Sequence, residues 1–289
     1  MKKKIICVLA ALVIAFSFIG CKGKKDKLTL GFVPFTDADQ LVEEIKPLTE
    51  KLSEKLGVEV DGYVATKYIG MVEGLGSDQI DFCFLPPIAY VLAHENKGAE
   101  VILSALNKHG EQFYYSQIVT RTDSNINDIK DLKGKKFAFV DASSTSGYLY
   151  PYIYLKNNGV DPEKDLEGYI FSDGHDKSID LLLKGDIDGA ATYVDAREKL
   201  KKEVPDVMEK LQVIGKCDPI PNICVAVNKN LDKDMKEKLK TALMEIAKTD
   251  DGLELLSRLF SIYGFSDVAD SDFDTVRDVM NTLGIGLDE

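Results

Sequence analysis

The sequence predicts an α/β protein of two lobes, and two features of the residue pattern support this. From residue 28 onward, short apolar runs of strand character alternate with segments whose apolar residues recur at helical spacing, which is typical of α/β folds. No internal repeat, low-complexity stretch or long linker interrupts the 289 residues. We expect the chain to cross between the lobes twice, near residues 119–122 and 215–224.

These crossings divide the chain into two lobes joined by a two-stranded hinge. One lobe combines residues 28–118 with residues 225–289, and the other comprises residues 119–224. A body of this kind closes around a ligand by hinge motion. We therefore expect the ligand in the cleft between the lobes.

Glycine and proline mark the element ends in the first half of the chain. Gly57 and Gly76 follow segments of helical periodicity, because glycine is favoured just past a helix end. The expected helices cover residues 41–56, 68–75 and 87–93. The expected strands cover residues 28–33, 58–64, 80–85, 101–106 and 114–120.

The second half repeats the alternation and ends in a long helical pattern. The expected strands cover residues 136–140, 169–171, 187–192, 212–214 and 223–227, and the expected helices cover residues 126–132, 148–157 and 177–183. Residues 232–283 are helical in pattern throughout. Repeated β-α-β units predict a mostly parallel sheet with helices on both faces.

The charge balance excludes one class of partner. The chain has 48 acidic and 36 basic residues, a formal net charge of −12. Such a protein offers no broad cationic surface to neutralise phosphates, so we expect no nucleic-acid partner. One small anion remains possible, because a local group of backbone N–H donors binds an anion whatever the net charge.

The first residues read as an export signal. Lys2, Lys3 and Lys4 precede an apolar stretch over 5–19 that is short for a membrane span. The segment that ends at Cys21 resembles the lipobox of bacterial lipoproteins. This implies removal of residues 1–20, lipidation of Cys21 (palmitate included), a tether over 21–27, and a membrane-anchored protein on the periplasmic or extracellular side. An uncleaved signal anchor is the alternative.

The remaining cysteines do not predict a metal site. Cys83, Cys217 and Cys224 lack the C-x-x-C spacing of metal ligands, and few histidines accompany them. We expect Cys83 to be a buried thiol. The sequence leaves open whether Cys217 and Cys224 form a disulfide. No cofactor is expected.

A turn rich in hydroxyl groups is the most informative segment. After the strand that ends near residue 140, the chain reads Asp141-Ala-Ser-Ser-Thr-Ser-Gly147 and opens a helix. The first N–H groups of a helix have no internal partners, and its dipole adds positive potential. Small residues let an anion approach these donors. The alternative is ordinary helix capping, for which serine and threonine are preferred.

Three further residues are candidates, each with a structural alternative. His175 follows a strand and has one donor for an anion, or it is a surface loop histidine. Asp195 lies at a strand end, where open α/β sheets face a ligand crevice, or it caps the helix over 196–202. Tyr68 opens a short helix and reaches a ligand or packs in the core.

These segments together resemble the phosphonate- and phosphite-binding periplasmic proteins of ABC importers. The resemblance rests on Asp-x-x-Ser-Thr-Ser-Gly-Tyr followed by Pro151, and on residues 68–75, 128–136 and 175–195. It implies the type II-like periplasmic-binding-protein fold, with two α/β lobes and the ligand between them.

The resemblance also assigns roles to the candidate residues. The phosphonate group would sit on Ser144, Thr145 and Ser146, with His175 donating to one of its oxygens and Tyr68 reaching it from the facing lobe. Asp195 occupies the place of a carboxylate that binds an amine on the ligand. Ile223 replaces a second carboxylate, which favours a ligand tail that is less cationic or wholly different.

The expected function is that of a solute-binding lipoprotein, monomeric and not an enzyme. It would deliver a small phosphonate, phosphite or phosphate ester to a permease and an ATPase. One alternative is a receptor for another anionic solute, such as a sulfonate, a pyrimidine precursor or a thiamine phosphate. A hydrolase using Ser144, His175 and Asp195 is a remote alternative, because no G-x-S-x-G motif surrounds Ser144.

Overall fold

The computed structural model describes residues 25–32, 38–194 and 196–284. The expected signal segment, Cys21 and Asp195 lie outside these residues. In the part described, the helices are each too short or too polar to span a bilayer.

Strands and helices alternate along most of the described chain. The strands are β1 (Lys27–Phe32), β2 (Glu59–Val64), β3 (Phe82–Leu85), β4 (Glu100–Ala105), β5 (Phe113–Tyr114), β6 (Ser116–Arg121), β7 (Lys136–Phe139), β8 (Gly168–Phe171), β9 (Gly189–Tyr193), β10 (Leu211–Lys216), β11 (Ile220–Pro221), β12 (Cys224–Val227) and β13 (Phe265–Ser266). The α-helices are α1 (Ala38–Leu56), α2 (Tyr68–Gly76), α3 (Pro87–Lys97), α4 (Tyr150–Asn157), α5 (His175–Lys184), α6 (Val207–Lys210), α7 (Lys233–Ile246), α8 (Asp250–Phe260) and α9 (Asp274–Leu283). Short 3-10 helices cover Ile129–Leu132, Ala196–Leu200 and Asp270–Phe273, and a π-helix covers Thr145–Leu149.

The first lobe is a six-stranded sheet with helices on both faces. Its strand order is β13-β4-β12-β3-β1-β2. Side chains alternate between the faces because the strand period is two: Phe84 packs in the cluster that includes α1, α7 and α8, and its neighbour Leu85 packs in the cluster that includes α2, α3 and α9. The ring of Phe260 stacks on Phe32 and Phe84 at centroid distances of 5.3 and 4.9 Å.

The second lobe is a five-stranded sheet in the order β10-β6-β9-β7-β8. On one face, Phe139 packs with Tyr152 and Leu155 of α4. On the other face, Ala138 packs with Ile179 and Leu182 of α5. The two faces of this sheet are thus covered by α4 and α5, the helices that follow β7 and β8 along the chain.

Two chain passages connect the lobes through a small two-stranded sheet. β5 pairs antiparallel with β11, with Tyr114 opposite Ile220. β6 follows β5 and pairs entirely within the second sheet. The first passage therefore lies at residues 114–116, earlier than the expected 119–122, while the second lies between β10 and β12. The segment over 114–120 contains no glycine or proline to mark the bend, which is why the sequence pattern misplaced the passage.

The prediction of a mostly parallel sheet is wrong. β1, β2 and β3 are parallel, but β12, β4 and β13 run antiparallel to their neighbours. In the second sheet β7, β8 and β9 are parallel, whereas β6 is antiparallel to both β9 and β10. β12 and β6 enter their sheets directly from the other lobe, and each runs opposite to the parallel strands it pairs with. Local periodicity does not reveal strand direction.

Two local predictions also need correction. The segment after residue 232 is not helical throughout, since Phe265–Ser266 forms β13 against β4. The helix expected over 126–132 is a single 3-10 turn at Ile129–Leu132, with its N-terminus capped by Asp128. A two-residue strand is too short to show as an interruption of a helical pattern. A single 3-10 turn is likewise too short for its pattern to differ from that of an α-helix.

Candidate functional site

A cavity of about 580 Å³ lies between the two lobes. The first lobe and the hinge contribute Tyr68, Pro86 and Tyr114 to its wall, and the second lobe contributes Ser144, Ser146 and His175. The cavity also meets residues near the second hinge passage, including Asn222 and Ile223. The ends of β3, β7 and β9 all face it, as expected for strand ends that border a crevice.

The hydroxyl-rich turn opens a π-helix rather than an α-helix. Ser144 has the extended dihedral angles of a helix cap (φ −93°, ψ 119°), and its Oγ accepts the N–H of Gly147 at 3.1 Å. The N–H groups of Tyr148 and Leu149 both donate to the carbonyl of Ser144, at 3.0 and 3.1 Å. The amides of Thr145 and Ser146 precede these bonds and have no acceptor within the helix.

Gly147 allows the turn to lie against the end of the preceding strand. A Cβ atom at this position would come within 2.4 Å of Cβ of Val140. The Val140 N–H donates to the Gly147 carbonyl at 3.0 Å, which ties the turn to the strand. This close approach requires glycine and holds the first helical amides at the cavity.

The three hydroxyls of the turn have different surroundings. Ser144 and Ser146 line the cavity, whereas Thr145 is fully buried. The Oγ1 of Thr145 accepts the N–H of Ile88, in the facing lobe, at 2.9 Å. The carbonyl of Ser146 accepts a hydrogen bond from the hydroxyl of Ser116 at 2.6 Å, and this bond fixes the orientation of the Ser146 peptide group.

Two tyrosine hydroxyls approach the turn from the first lobe and the hinge. Burial raises the pKa of Tyr68, and a hydrogen bond with Ser144 opposes that rise. Burial likewise raises the pKa of Tyr114, with opposing hydrogen bonds to Ser146 and Thr145. Both phenols are therefore neutral at physiological pH and are able to donate to an anion. Tyr115, its neighbour, instead lies under the ammonium of Lys216 at 3.5 Å.

His175 is held as a neutral donor. It begins α5 and is only 4% exposed, and its Nδ1 lies 2.9 Å from Oγ1 of Thr192. The ring of Tyr193 meets it edge-on at 4.8 Å. Burial, assisted by the positive charge of Lys199, lowers the pKa of His175 to about 3. The imidazole therefore offers one N–H without a formal charge.

Asp141 lies behind the turn and is also buried. Its Oδ1 accepts the N–H of Ser143 at 2.7 Å. Burial raises the pKa of Asp141, and hydrogen bonds from the backbone of Ser143 and Tyr68, together with the charge of Lys67, oppose the rise. Asp141 therefore braces the turn and the start of α2, and it is not among the cavity-lining residues.

The outer wall of the cavity carries charged side chains of both signs. The basic residues are Lys108, Lys199, Lys216 and Arg258, and the acidic residues are Glu111 and Glu198. The Lys199 ammonium donates to the carbonyl of Leu259 at 3.3 Å, across the cleft. In the described residues, the wall therefore has more basic than acidic groups, in a protein whose formal net charge is −12.

The structure brings together five of the six residues that the sequence singled out for a ligand. Tyr68, Ser144, Ser146 and His175 line the cavity, and Thr145 lies directly behind its wall. Asp195 lies outside the described residues. The binding roles of all six stay a prediction.

Several cavity residues were not singled out from the sequence. Tyr114 and Tyr115 both line the cavity, although strand alternation predicts that only one of two neighbouring residues faces inward. His109, Lys216 and Arg258 also line the cavity. These basic residues lie in segments distant in sequence, and no local signal connects them.

The thiols and acidic groups do not form a metal or disulfide site within the described residues. Cys83, Cys217 and Cys224 are buried and free, which decides the pairing that the sequence left open. Burial raises the pKa of all three thiols, to about 12 for Cys217. No group of three or more histidine, cysteine or carboxylate side chains in the described part is placed to hold a metal ion.

The fold and the cavity define a class of protein. Two α/β lobes, two connecting passages and a donor-rich cleft are the features of a bilobal periplasmic-type binding protein. A family model described as "ABC transporter, phosphonate, periplasmic substrate-binding protein" matches residues 30–273. The chain belongs to this family of periplasmic substrate-binding proteins of ABC transporters.

Individual relatives agree with this assignment. The phosphate-import protein PhnD of Mycolicibacterium smegmatis is 31% identical over 283 residues, covering 91% of this chain and 88% of the relative. The phosphonates-binding periplasmic protein of Escherichia coli is 27% identical, covering 80% of this chain and 70% of the relative. Among solved structures, PhnD1 of Prochlorococcus marinus in complex with methylphosphonate has a TM-score of 0.81 at 22% identity, covering 90% of this chain and 98% of that one. At 22% identity, the similarity to this last structure establishes the fold alone.

Proposed function

We propose that the protein binds a small phosphonate, phosphite or phosphate ester through a tetrahedral oxyanion seated on the turn at Ser144–Gly147. The observation that carries this proposal is the convergence of neutral donors on one cavity. The turn contributes the amides of Thr145 and Ser146, which have no acceptor within the helix, and the hydroxyls of Ser144 and Ser146, which line the cavity.

The remaining donors approach from other directions. Tyr68 and Tyr114 reach the turn from the first lobe and the hinge, and His175 comes from a second helix start in the same lobe as the turn. A PO₃ group presents three oxygens that point apart, so donors on several sides satisfy it better than they satisfy a planar carboxylate. Backbone amides at a helix start, with the helix dipole, stabilise the anion without a salt bridge.

Binding without turnover suits this geometry. A serine nucleophile needs a base within hydrogen-bond reach, but Oγ of Ser144 accepts the Gly147 amide and Nδ1 of His175 is engaged with Thr192. The lowered pKa of His175 also makes it a weak base. We therefore assign His175 and Ser144 to ligand binding and not to hydrolysis.

The wider assignment follows from the family and the sequence. As a substrate-binding protein of an ABC transporter, the chain would hand its ligand to a permease driven by an ATPase. The lipobox-like segment that ends at Cys21 supports a lipid anchor, with the monomeric two-lobed body held at the outer side of the membrane. Asp195 remains the candidate for contact with an amine on the ligand.

Ser146 provides the cleanest test, because the Ser144 hydroxyl also caps the helix. Ser146→Ala removes one donor to a charged ligand, worth roughly 1.5–3 kcal/mol, so affinity for methylphosphonate should fall about ten- to a hundredfold. Isothermal titration calorimetry would compare methylphosphonate, phosphite, inorganic phosphate and methanesulfonate. Ser124→Ala is the matched control, since the Ser124 hydroxyl bonds the Arg121 carbonyl away from the cavity.

Two results would reject the placement. One is an unchanged affinity in Ser146→Ala for the phosphorus probe that binds the unaltered protein. The other is tight binding of methanesulfonate with no binding of any phosphorus probe, which would favour a sulfonate receptor.

A further inference from the structure

We propose that the Thr145 side chain is a closure residue: its hydroxyl caps helix α3 of the facing lobe, so that the turn that binds the anion also holds the lobes together. This rests on the proposed function only in identifying the turn as the ligand site. The contact itself is the 2.9 Å hydrogen bond from the Ile88 N–H to Oγ1 of Thr145.

The start of α3 needs a partner from elsewhere. Pro86 is the cap residue and makes no side-chain hydrogen bond, and Pro87 follows it in the first helical position. Neither proline has an N–H, so Ile88 carries the first amide donor of the helix. Ile88 is fully buried, and an unsatisfied buried amide destabilises the state that contains it.

Thr145 is placed for this contact and not for the cavity. Its side chain is fully buried, and it is absent from the cavity wall that Ser144 and Ser146 line. Within three consecutive residues, two hydroxyls therefore face the ligand site and the middle one faces the other lobe. The amide of Thr145, by contrast, is one of the two that have no acceptor in the π-helix.

Apolar packing surrounds the hydrogen bond. Leu149 and Tyr150, which follow the turn, belong to the same buried cluster as Tyr68 and Ile88 of the first lobe. Apolar contact tolerates small displacements, whereas a buried donor does not. The hydrogen bond between Ile88 and Thr145 is therefore the contact between the lobes that depends most on an exact position of the turn, and an anion that orders the turn would favour it.

The test compares two substitutions at one position. Thr145→Val keeps the shape and removes the acceptor, so it should weaken methylphosphonate binding at least tenfold and raise the fraction of open molecules at saturating probe. That fraction is read from energy transfer between labels on the two lobes. Thr145→Ser keeps the acceptor and should stay within about threefold of the unaltered protein. Thr122→Val, which changes an exposed threonine of the same lobe, is the control for the valine substitution.

A double-mutant cycle separates closure from direct ligand contact. Ile88→Pro removes the donor, and adding Thr145→Val to it should then cost little further affinity. The inference is overturned if Thr145→Val binds as tightly as the unaltered protein, if Thr145→Ser loses as much as Thr145→Val, or if Thr145→Val loses as much affinity with Ile88→Pro present as without it.

Hydrogen exchange at the Ile88 amide tests the contact without any phosphorus ligand. Exchange should be faster in Thr145→Val than in Thr145→Ser, whatever solute the protein carries, and equal rates would overturn the inference. Failure of every phosphorus probe to bind the unaltered protein would instead reject the proposed function, so the two failures are distinguishable.

Discussion

Nδ1 of His175, the first residue of α5, lies 2.9 Å from Oγ1 of Thr192 on strand β9. This contact occupies one ring nitrogen and leaves the other edge of the ring to the cavity. Since burial lowers the pKa of His175 to about 3, the ring is neutral in the folded protein at neutral pH.

The lowered pKa of His175 predicts a pH dependence of stability. Between about pH 3 and pH 6.5 the unfolded chain binds a proton at this histidine and the folded chain does not, so the free energy of unfolding rises with pH across this window. Above the window the contribution is complete. The slope due to one such group is at most about 1.4 kcal/mol per pH unit. Urea titrations of the unaltered protein and of His175→Gln, from pH 4 to pH 8, should differ in this slope below pH 6.5. Parallel curves would contradict the assignment.

Tyr114 and Tyr115 offer a matched pair at the hinge. The Tyr114 hydroxyl approaches Ser146 and Thr145, whereas the Tyr115 ring lies under the Lys216 ammonium. Tyr114→Phe should reduce affinity for the phosphorus ligand about tenfold, because it removes one hydrogen-bond donor to a charged group. Tyr115→Phe should leave affinity within about twofold, since its ring is retained. Calorimetry on the two variants compares them directly, and equal losses would remove Tyr114 from the site.

Gly147 is predicted to be intolerant of a side chain. In Gly147→Ala the new Cβ would lie 2.4 Å from Cβ of Val140 and 2.8 Å from Oγ of Ser144, so strand and turn must separate. Overpacking of this kind costs roughly 1–3 kcal/mol, and ligand binding should weaken with it. Gly168→Ala is the control, because a Cβ there meets nothing within 4 Å. Thermal unfolding with and without ligand measures both effects, and equal melting temperatures for the two variants would contradict the prediction.

The three thiols are predicted to be inert in the folded protein. Cys83, Cys217 and Cys224 are buried, and burial raises the pKa of each, which suppresses the reactive thiolate. A thiol reagent should label them only after unfolding, and a reductant should not change the melting temperature. Mass spectrometry of the unreduced protein that reveals a bond between Cys217 and Cys224 would contradict this.

Some of the fold follows from short-range pattern. Apolar alternation and glycine at helix ends placed α2, α3 and α5 within a few residues of their observed limits. The directions of β4, β6 and β12 could not be read in the same way, because an antiparallel strand and a parallel strand bury side chains with the same period of two. The position of the first passage between the lobes was missed because no glycine or proline separates β5 from β6.

The candidate site, like the fold, could be predicted from the sequence only in part. By itself the sequence determined that a hydroxyl-rich turn opens a helix at Ser144, because that depends on which residues follow one another and on the unpaired amides of any helix start. Only the tertiary structure decided that the Thr145 hydroxyl accepts the Ile88 N–H instead of lining the cavity, and that the Tyr114 hydroxyl lies against the turn while the Tyr115 ring lies under the Lys216 ammonium. These hydrogen bonds depend on which groups the second lobe brings within bonding distance. Ile88 and Thr145 are 57 positions apart in the sequence, so the local sequence around one residue carries no information about the other.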